Sequence, residues 1–161
     1  MIQRRQTVYM LLSAIASVLL FFVALASFSN DDFVMRFTIY GIENPIDSIE
    51  LSKPSTWPMV IMAVLMTCIP VFTALKYKKR ELQVKLCHLD MLLNVVFLGL
   101  VLLYFESDLL KVIESVEEDK IVLDSYYYGM SIPVVNLILQ IFAVRGVKKD
   151  IELLKSVDRL R

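Results

Sequence analysis

Histidine is almost missing from this chain. The single one, His88, excludes a two-histidine metal site and bis-histidine haem ligation within one chain. Cysteine is nearly as scarce. Cys68 and Cys87 form no Cys-x-x-Cys motif and lie away from the exposed loops, so no zinc or redox motif and no disulfide staple of those loops is available. Only four glycines occur, and there is no nucleophile elbow, P-loop or glycine-rich phosphate loop. Charge of one sign is not in excess either: 17 basic residues balance 17 acidic ones. The chain is therefore expected to carry no metal and no cofactor, to be no enzyme and to bind no nucleic acid.

Hydrocarbon is what the chain has in abundance. Hydrophobic residues make up 57% of it, more than a soluble domain of this length has room to bury, which points to a bilayer as solvent. Four apolar runs stand out, at about 7–28, 57–75, 87–105 and 126–144. Each is long enough to cross a hydrocarbon core of roughly 30 Å as a helix, and backbone groups in lipid must be satisfied within the segment. Pro70 and Pro133 fall inside two of these runs, where a proline usually kinks a membrane helix without breaking it. Met1–Ala26 has features of a signal peptide, ending in Ala24-Leu25-Ala26. Its apolar run is too long for a typical signal core, so an uncleaved first span is expected.

Orientation follows from lysine and arginine. Arg4, Arg5, Lys76, Lys78, Lys79, Arg80, Lys85, Arg145, Lys148, Lys149, Lys155, Arg159 and Arg161 lie at the termini and between spans two and three. Only Arg36, Lys53, Lys111 and Lys120 lie in the other two loops. The positive-inside rule then puts both termini in the cytoplasm, N-in/C-in. Trp57 and Tyr126-Tyr127-Tyr128 are suited to anchor the outer boundary. The outer loops, 29–56 and 106–125, are too apolar for linkers. Phe33–Tyr40 reads as a strand, Gly41 and Asn44-Pro45 punctuate, Ile49 and Leu51 form a second short run that pairs with it as a hairpin, and Lys120–Leu123 reads as a third strand. Leu109–Val116 has helical spacing. The fold expected is an all-α membrane protein: a four-transmembrane-helix bundle forming one domain, with a small β-containing outer cap and a C-terminal amphipathic cytoplasmic helix over 145–161.

Polar residues inside the runs are few. Cys87, His88 and Asp90 form the only reactive-looking group, and the two-residue spacing of His88 and Asp90 puts them on different sides of a helix. Asp90 reads most simply as a helix-start carboxylate favouring the positive N-terminus of span three. Thr67, Asn94 and Asn136 lie at a similar depth, about 10–14 Å from the cytoplasmic boundary at 1.5 Å per residue, with Gln140 one turn from Asn136. Such a layer between spans two, three and four serves either as interhelical glue, worth roughly 0.6 kcal/mol per contact, or as a small ligand site. Glue is preferred, because no charge accompanies the amides. Ser13, Ala14, Ser17 and Ala24 give span one a small-residue face for close helix contact. In the tail, Val147, Ile151, Leu153, Leu154, Val157 and Leu160 fall on one half of a helix. Lys148, Lys155 and Arg159 fall on the other, with Glu152 among them and Gly146 as a hinge. Lys148, Lys149, Ile151, Leu154, Lys155 and Arg159 are thus the candidates for binding membrane lipids or a protein partner.

The two ends carry a likeness. The opening Met1-Ile2-Gln3-Arg4-Arg5-Gln6-Thr7-Val8-Tyr9 and the closing Arg145-Gly146-Val147-Lys148-Lys149-Asp150, with Leu154, Ser156 and Asp158-Arg159-Leu160-Arg161, resemble a small four-span membrane-protein family of unknown function found in Bacteroidota (domain-of-unknown-function family 4293). Leu82-Gln83-Val84-Lys85-Leu86-Cys87 resembles it too. The resemblance implies an inner-membrane location and periplasmic outer loops, and it implies no activity. Two functions stay open: a non-enzymatic accessory or scaffold subunit of an inner-membrane assembly, which is preferred, and a small transporter or lipid- or small-molecule-binding protein using the polar layer.

Overall fold

The computed structural model describes residues 5–29, 34–43, 56–76, 79–104, 124–126 and 128–159. Four helices dominate: α1 (Arg5–Leu19), α2 (Trp57–Leu75), α3 (Arg80–Tyr104) and α4 (Ser131–Arg159). Each packs against two neighbours in a closed ring, α1 to α2 to α3 to α4 and back to α1. Three of them, α2, α3 and α4, are long and apolar enough to cross a membrane.

The first run departs from expectation. Its helix stops at Leu19 after 15 residues, a rise of about 22 Å, short of a hydrocarbon core of roughly 30 Å. Leu20, Phe21 and Phe22 donate to carbonyls three residues back at 3.1–3.2 Å, a tightened last turn of the 3-10 type. The chain then straightens into strand β1 (Ala26–Ser29). The apolar run 7–28 is thus a helix followed by a turn and a strand, and hydropathy alone does not separate the three.

The other boundaries shift less. In α2, Pro58 sits in the first turn, where its missing N–H costs nothing, and the helix passes through the buried Pro70 to Leu75. α3 begins at Arg80, about two turns before the expected 87. Gln83 secures that early start: its Nε2 donates to the Thr73 carbonyl at the end of α2 over 3.0 Å. α4 begins at Ser131, after a 3-10 turn over Tyr128–Met130. It continues without interruption through Gly146, which is therefore no hinge.

β1, β2 (Val34–Thr38), β3 (Gly41–Glu43) and β4 (Asp124–Tyr126) form an antiparallel sheet in the order β3-β2-β1-β4. Register pairs Ala26 with Phe37, Thr38 with Gly41 and Ser27 with Tyr126. The sequence reading placed strand β2 but gave it the wrong company. Its partners are β1, which was read as the end of a span, and β3, which starts at the glycine read as a break. Gly41 has φ +128°, a conformation that suits glycine at the exit of the tight β2–β3 turn. The expected strand over Lys120–Leu123, the run at Ile49 and Leu51 and the helical stretch Leu109–Val116 lie outside the described residues.

Two apolar clusters fill the ring. One joins the sheet to the adjoining end of the bundle, through Leu25, Phe37 and Ile39 with Met59, Met66, Phe97 and Ile132. The other closes the opposite end, through Met10, Cys87, Ala143, Val144 and Val147. Facing outward are Leu11, Leu12, Ile15, Ile61, Val64, Leu92, Val95, Val96, Val135 and Ile138, all exposed. Between the clusters the interior turns polar. Apolar residues outside and polar ones within is the arrangement a bilayer favours and water does not.

Candidate functional site

The polar interior is built by helical periodicity. On α1, Gln6, Met10, Ser13 and Ser17 recur every three or four residues and are buried. On α3 the buried series is Gln83, Cys87, Asp90, Asn94, Phe97 and Val101. On α4 it includes Asn136, Gln140, Ala143 and Val147. Each stripe passes from one apolar cluster to the other, and Ser13, Ser17, Asp90, Asn94, Asn136 and Gln140 fall at the crossing. All six are 0% exposed.

The side of this layer between α1 and α4 is hydrogen-bonded. Ser13 Oγ donates to Asn136 Oδ1, Asn136 Nδ2 donates to Ser17 Oγ at 2.7 Å, and Ser17 Oγ returns to the Ser13 carbonyl at 3.1 Å. Gln140 Nε2 donates to Ser13 Oγ at 2.8 Å. Asn136 and Gln140, one turn apart, thus grip two hydroxyls one turn apart on α1.

The side facing α3 is not. Asn94 Nδ2 turns back to the Asp90 carbonyl at 2.8 Å, which leaves its Oδ1 without a donor. Both carboxylate oxygens of Asp90 and the Oε1 of Gln140 also lack partners. The Gln140 side chain lies beside Asp90 without reaching hydrogen-bond geometry. Four buried acceptor oxygens, two of them on Asp90, therefore lie on α3 and α4 without a donor in hydrogen-bond geometry. Asp90 is the only charged residue among the buried described residues.

Several expected site residues fall elsewhere. Thr67 does not join the layer: it is half-buried, and its hydroxyl donates to its own helix at Ala63 O over 2.9 Å. α2 brings the buried Pro70 to this level instead. Because proline has no N–H, the Met66 carbonyl lacks its usual helical donor. The layer therefore involves helices α1, α3 and α4, not spans two, three and four, and an ionisable group, Asp90, does accompany the amides. Asp90 is no helix-start carboxylate either, since α3 starts ten residues earlier. His88 points outward with Nδ1 2.6 Å from Val84 O, so it is not grouped with the buried Cys87 and Asp90. Among the described residues no three His, Cys, Asp or Glu side chains could share a metal ion.

The tail candidates divide. Val147 is buried and Ile151 packs against the same cluster as Met10 and Cys87. Lys148, Lys149, Leu154 and Lys155 are exposed, as is Leu153. The backbone of Arg159 ends α4, and its side chain lies outside the described residues. Sequence reasoning missed Ser13, Ser17 and Asp90 as members of the layer. The signal was available in the steps of three or four residues that run Gln6–Met10–Ser13–Ser17 and Cys87–Asp90–Asn94.

The model of the family described as Domain of unknown function (DUF4293) matches residues 2–160, nearly the whole chain. No curated protein matches it.

Proposed function

The chain belongs to this family, and we propose that it is a non-enzymatic, membrane-embedded binding protein whose site is the polar layer between α1, α3 and α4. The observation that carries this reading is Asp90, a fully buried carboxylate with neither oxygen partnered. An unsatisfied buried acceptor costs about 1–3 kcal/mol, and more when charged. Ionisable residues inside membrane bundles are rare for that reason, and they mark sites by default. Simple glue would need only the α1–α4 bonds, which are complete without Asp90. An ionisable group does lie among the amides, contrary to the premise that favoured glue, and on that ground the small-molecule-binding reading outranks the accessory one.

Replacing Asp90 tests it. Asp90→Asn keeps the shape and removes the charge. In protein dialysed free of small solutes, it is expected to stabilise the fold by about 2 kcal/mol, a rise in thermal midpoint of roughly 4–8 °C. A lower midpoint than wild type would mean that Asp90 is a structural group, and the binding reading would fall.

One observation favours the accessory reading as a second role. α4 carries exposed Leu153 and Leu154, 58% and 50% accessible, beside exposed Lys148, Lys149 and Lys155. We place this end in the cytoplasm on the basic-residue asymmetry, and the family resemblance implies that the membrane is the inner one of a Gram-negative cell. Its partners there would be anionic lipid or a membrane protein. One set of variants tests both claims. In a Cys68→Ser background, a cysteine replacing Ser156 should resist an impermeant thiol reagent in spheroplasts. Leu153→Glu with Leu154→Glu should leave insertion intact while co-purifying proteins disappear. Labelling from outside would reverse the orientation, and an unchanged set of co-purifying proteins would end the accessory role. Removing everything after Gly146 is a poorer test, because it also deletes the buried Val147.

A further inference from the structure

Positive charge is concentrated where α2 hands over to α3. Between residues 76 and 85 the chain has five basic residues, Lys76, Lys78, Lys79, Arg80 and Lys85, against the single acidic Glu81. The described ends of this turn are fixed by hydrogen bonds. Lys76 N–H donates to Phe72 O and Thr73 O, each at 3.2 Å, and Lys79 N–H donates to Lys76 O at 3.0 Å. Gln83 Nε2 ties the start of α3 to Thr73 O at 3.0 Å. Lys76 and Lys79 therefore stand on a set frame, and both are exposed. Arg80 beside them is half-buried, and its Nη1 has no acceptor.

The neighbours of this charge are apolar and face outward. Phe72 and Leu75, in the last turn of α2, are exposed. The Lys76 ammonium lies 5.2 Å from the centroid of the Phe72 ring, so its stem folds back along α2. An interfacial lysine left to itself extends its charge away from hydrocarbon. Here the contact with the ring keeps the charge beside the apolar turn. A soluble anion would meet only the cations of this surface. A phospholipid meets both halves, because its phosphate and its acyl chains are joined at the same level. The cytoplasmic leaflet is rich in anionic headgroups and attracts basic segments next to a membrane helix.

We propose that the α2–α3 turn holds one anionic phospholipid of the cytoplasmic leaflet, with Lys76 and Lys79 on its phosphate and Phe72 and Leu75 against its acyl chains. The site is separate from the polar layer and does not depend on it. A matched control is built into the ring. Arg5 and Arg145 are also exposed, and they flank the close approach of Gln6 to Gly146. That seam joins α1 to α4, on the opposite side of the ring from α2 and α3. General attraction of cations to an anionic surface treats both pairs alike, and a specific site does not.

The test uses the full chain in mild detergent at physiological ionic strength. It is titrated with dioctanoyl phosphatidylglycerol, dioctanoyl phosphatidylcholine or inorganic phosphate. Native mass spectrometry counts the bound lipid, and the thermal midpoint is followed in parallel. Phosphatidylglycerol is expected to bind saturably at one molecule per chain and to raise the midpoint, and phosphatidylcholine to bind about tenfold more weakly or worse. Lys76→Gln with Lys79→Gln should weaken phosphatidylglycerol binding about tenfold or more. Arg5→Gln with Arg145→Gln should leave it within about twofold, because exposed charges that far apart are screened. If the first pair fails to fold, Lys79→Glu alone should abolish the preference for phosphatidylglycerol. Equal binding of the two lipids, or equal losses from the two pairs of substitutions, overturn the proposal. Inorganic phosphate that displaces the lipid and reproduces its midpoint shift makes the occupant a soluble anion, which also overturns it.

Discussion

Gly129→Ala is expected to cost about 3 kcal/mol or more, at the upper end of what overpacking does to a protein interior. Gly129 lies in the 3-10 turn that leads into α4. A Cβ there would stand 2.6 Å from Leu25 Cα and 2.8 Å from the Ala24 carbonyl carbon. Both are backbone atoms, so no side-chain rotation relieves the clash. The segment is held from its other side, since Leu25 N–H donates to Phe37 O at 2.7 Å. The methyl group must therefore separate the start of β1 from the entry to α4, which is where the sheet meets the bundle. A fall in thermal midpoint of roughly 6–12 °C is expected. Gly99→Ala is the internal control. Its Cβ meets nothing within 4 Å, and alanine gains about 1 kcal/mol over glycine inside a helix, so that variant should match or exceed wild type. Equal midpoints for the two variants would show that the close approach at Gly129 does not exist.

The contrast between these glycines bears on what a sequence discloses. Both look alike in the chain, and only the approach of a distant segment separates them. The same holds for the rest of the fold. α2 and the bodies of α3 and α4 were legible because a bilayer demands length and apolarity, both of which can be counted along the chain. α1 was misjudged because a buried turn and a strand are as apolar as a helix: Leu20, Leu25 and Ala26 continue the run without forming helix. The layer was half legible. Counting residues from the charged ends gives depth, and depth grouped Asn94 with Asn136, both of which are fully buried. It says nothing of azimuth, so Thr67 was included although it bonds its own helix, and Ser13 and Ser17 were taken only as small residues. Asp90 was misread for another reason. The apolar run starts near Leu89, whereas the helix starts at Arg80 under the tie from Gln83 to Thr73. That places the carboxylate in the third turn, inside the ring.

Gly146→Leu is expected to destabilise the protein by about 2 kcal/mol, through the seam between α1 and α4. A Cβ at this position would sit 3.1 Å from Gln6 Cβ and 3.7 Å from Gln6 Cα, and Gln6 is itself buried. Alanine asks Gln6 to yield by a few tenths of an ångström and gains about 1 kcal/mol of helix propensity, so Gly146→Ala should be close to neutral. Leucine adds three more carbons to the same seam, and the propensity gain no longer covers the strain. α1 must then lift away at Gln6, two turns from Ser13, which carries the bonds to Asn136 and Gln140. The thermal midpoint should fall by roughly 4–8 °C, and any solute-dependent stabilisation at the layer should weaken with it. Shortening the opposing side chain supplies the decisive comparison. Gln6→Gly removes the Cβ in the way, so the double variant should recover more than half of the loss, a coupling expected only between residues in contact. If Gly146 instead served as a hinge for the tail, leucine would act through backbone freedom, and its effect would be the same with glutamine or glycine at position 6. Strictly additive single effects would therefore reject the packing account of Gly146.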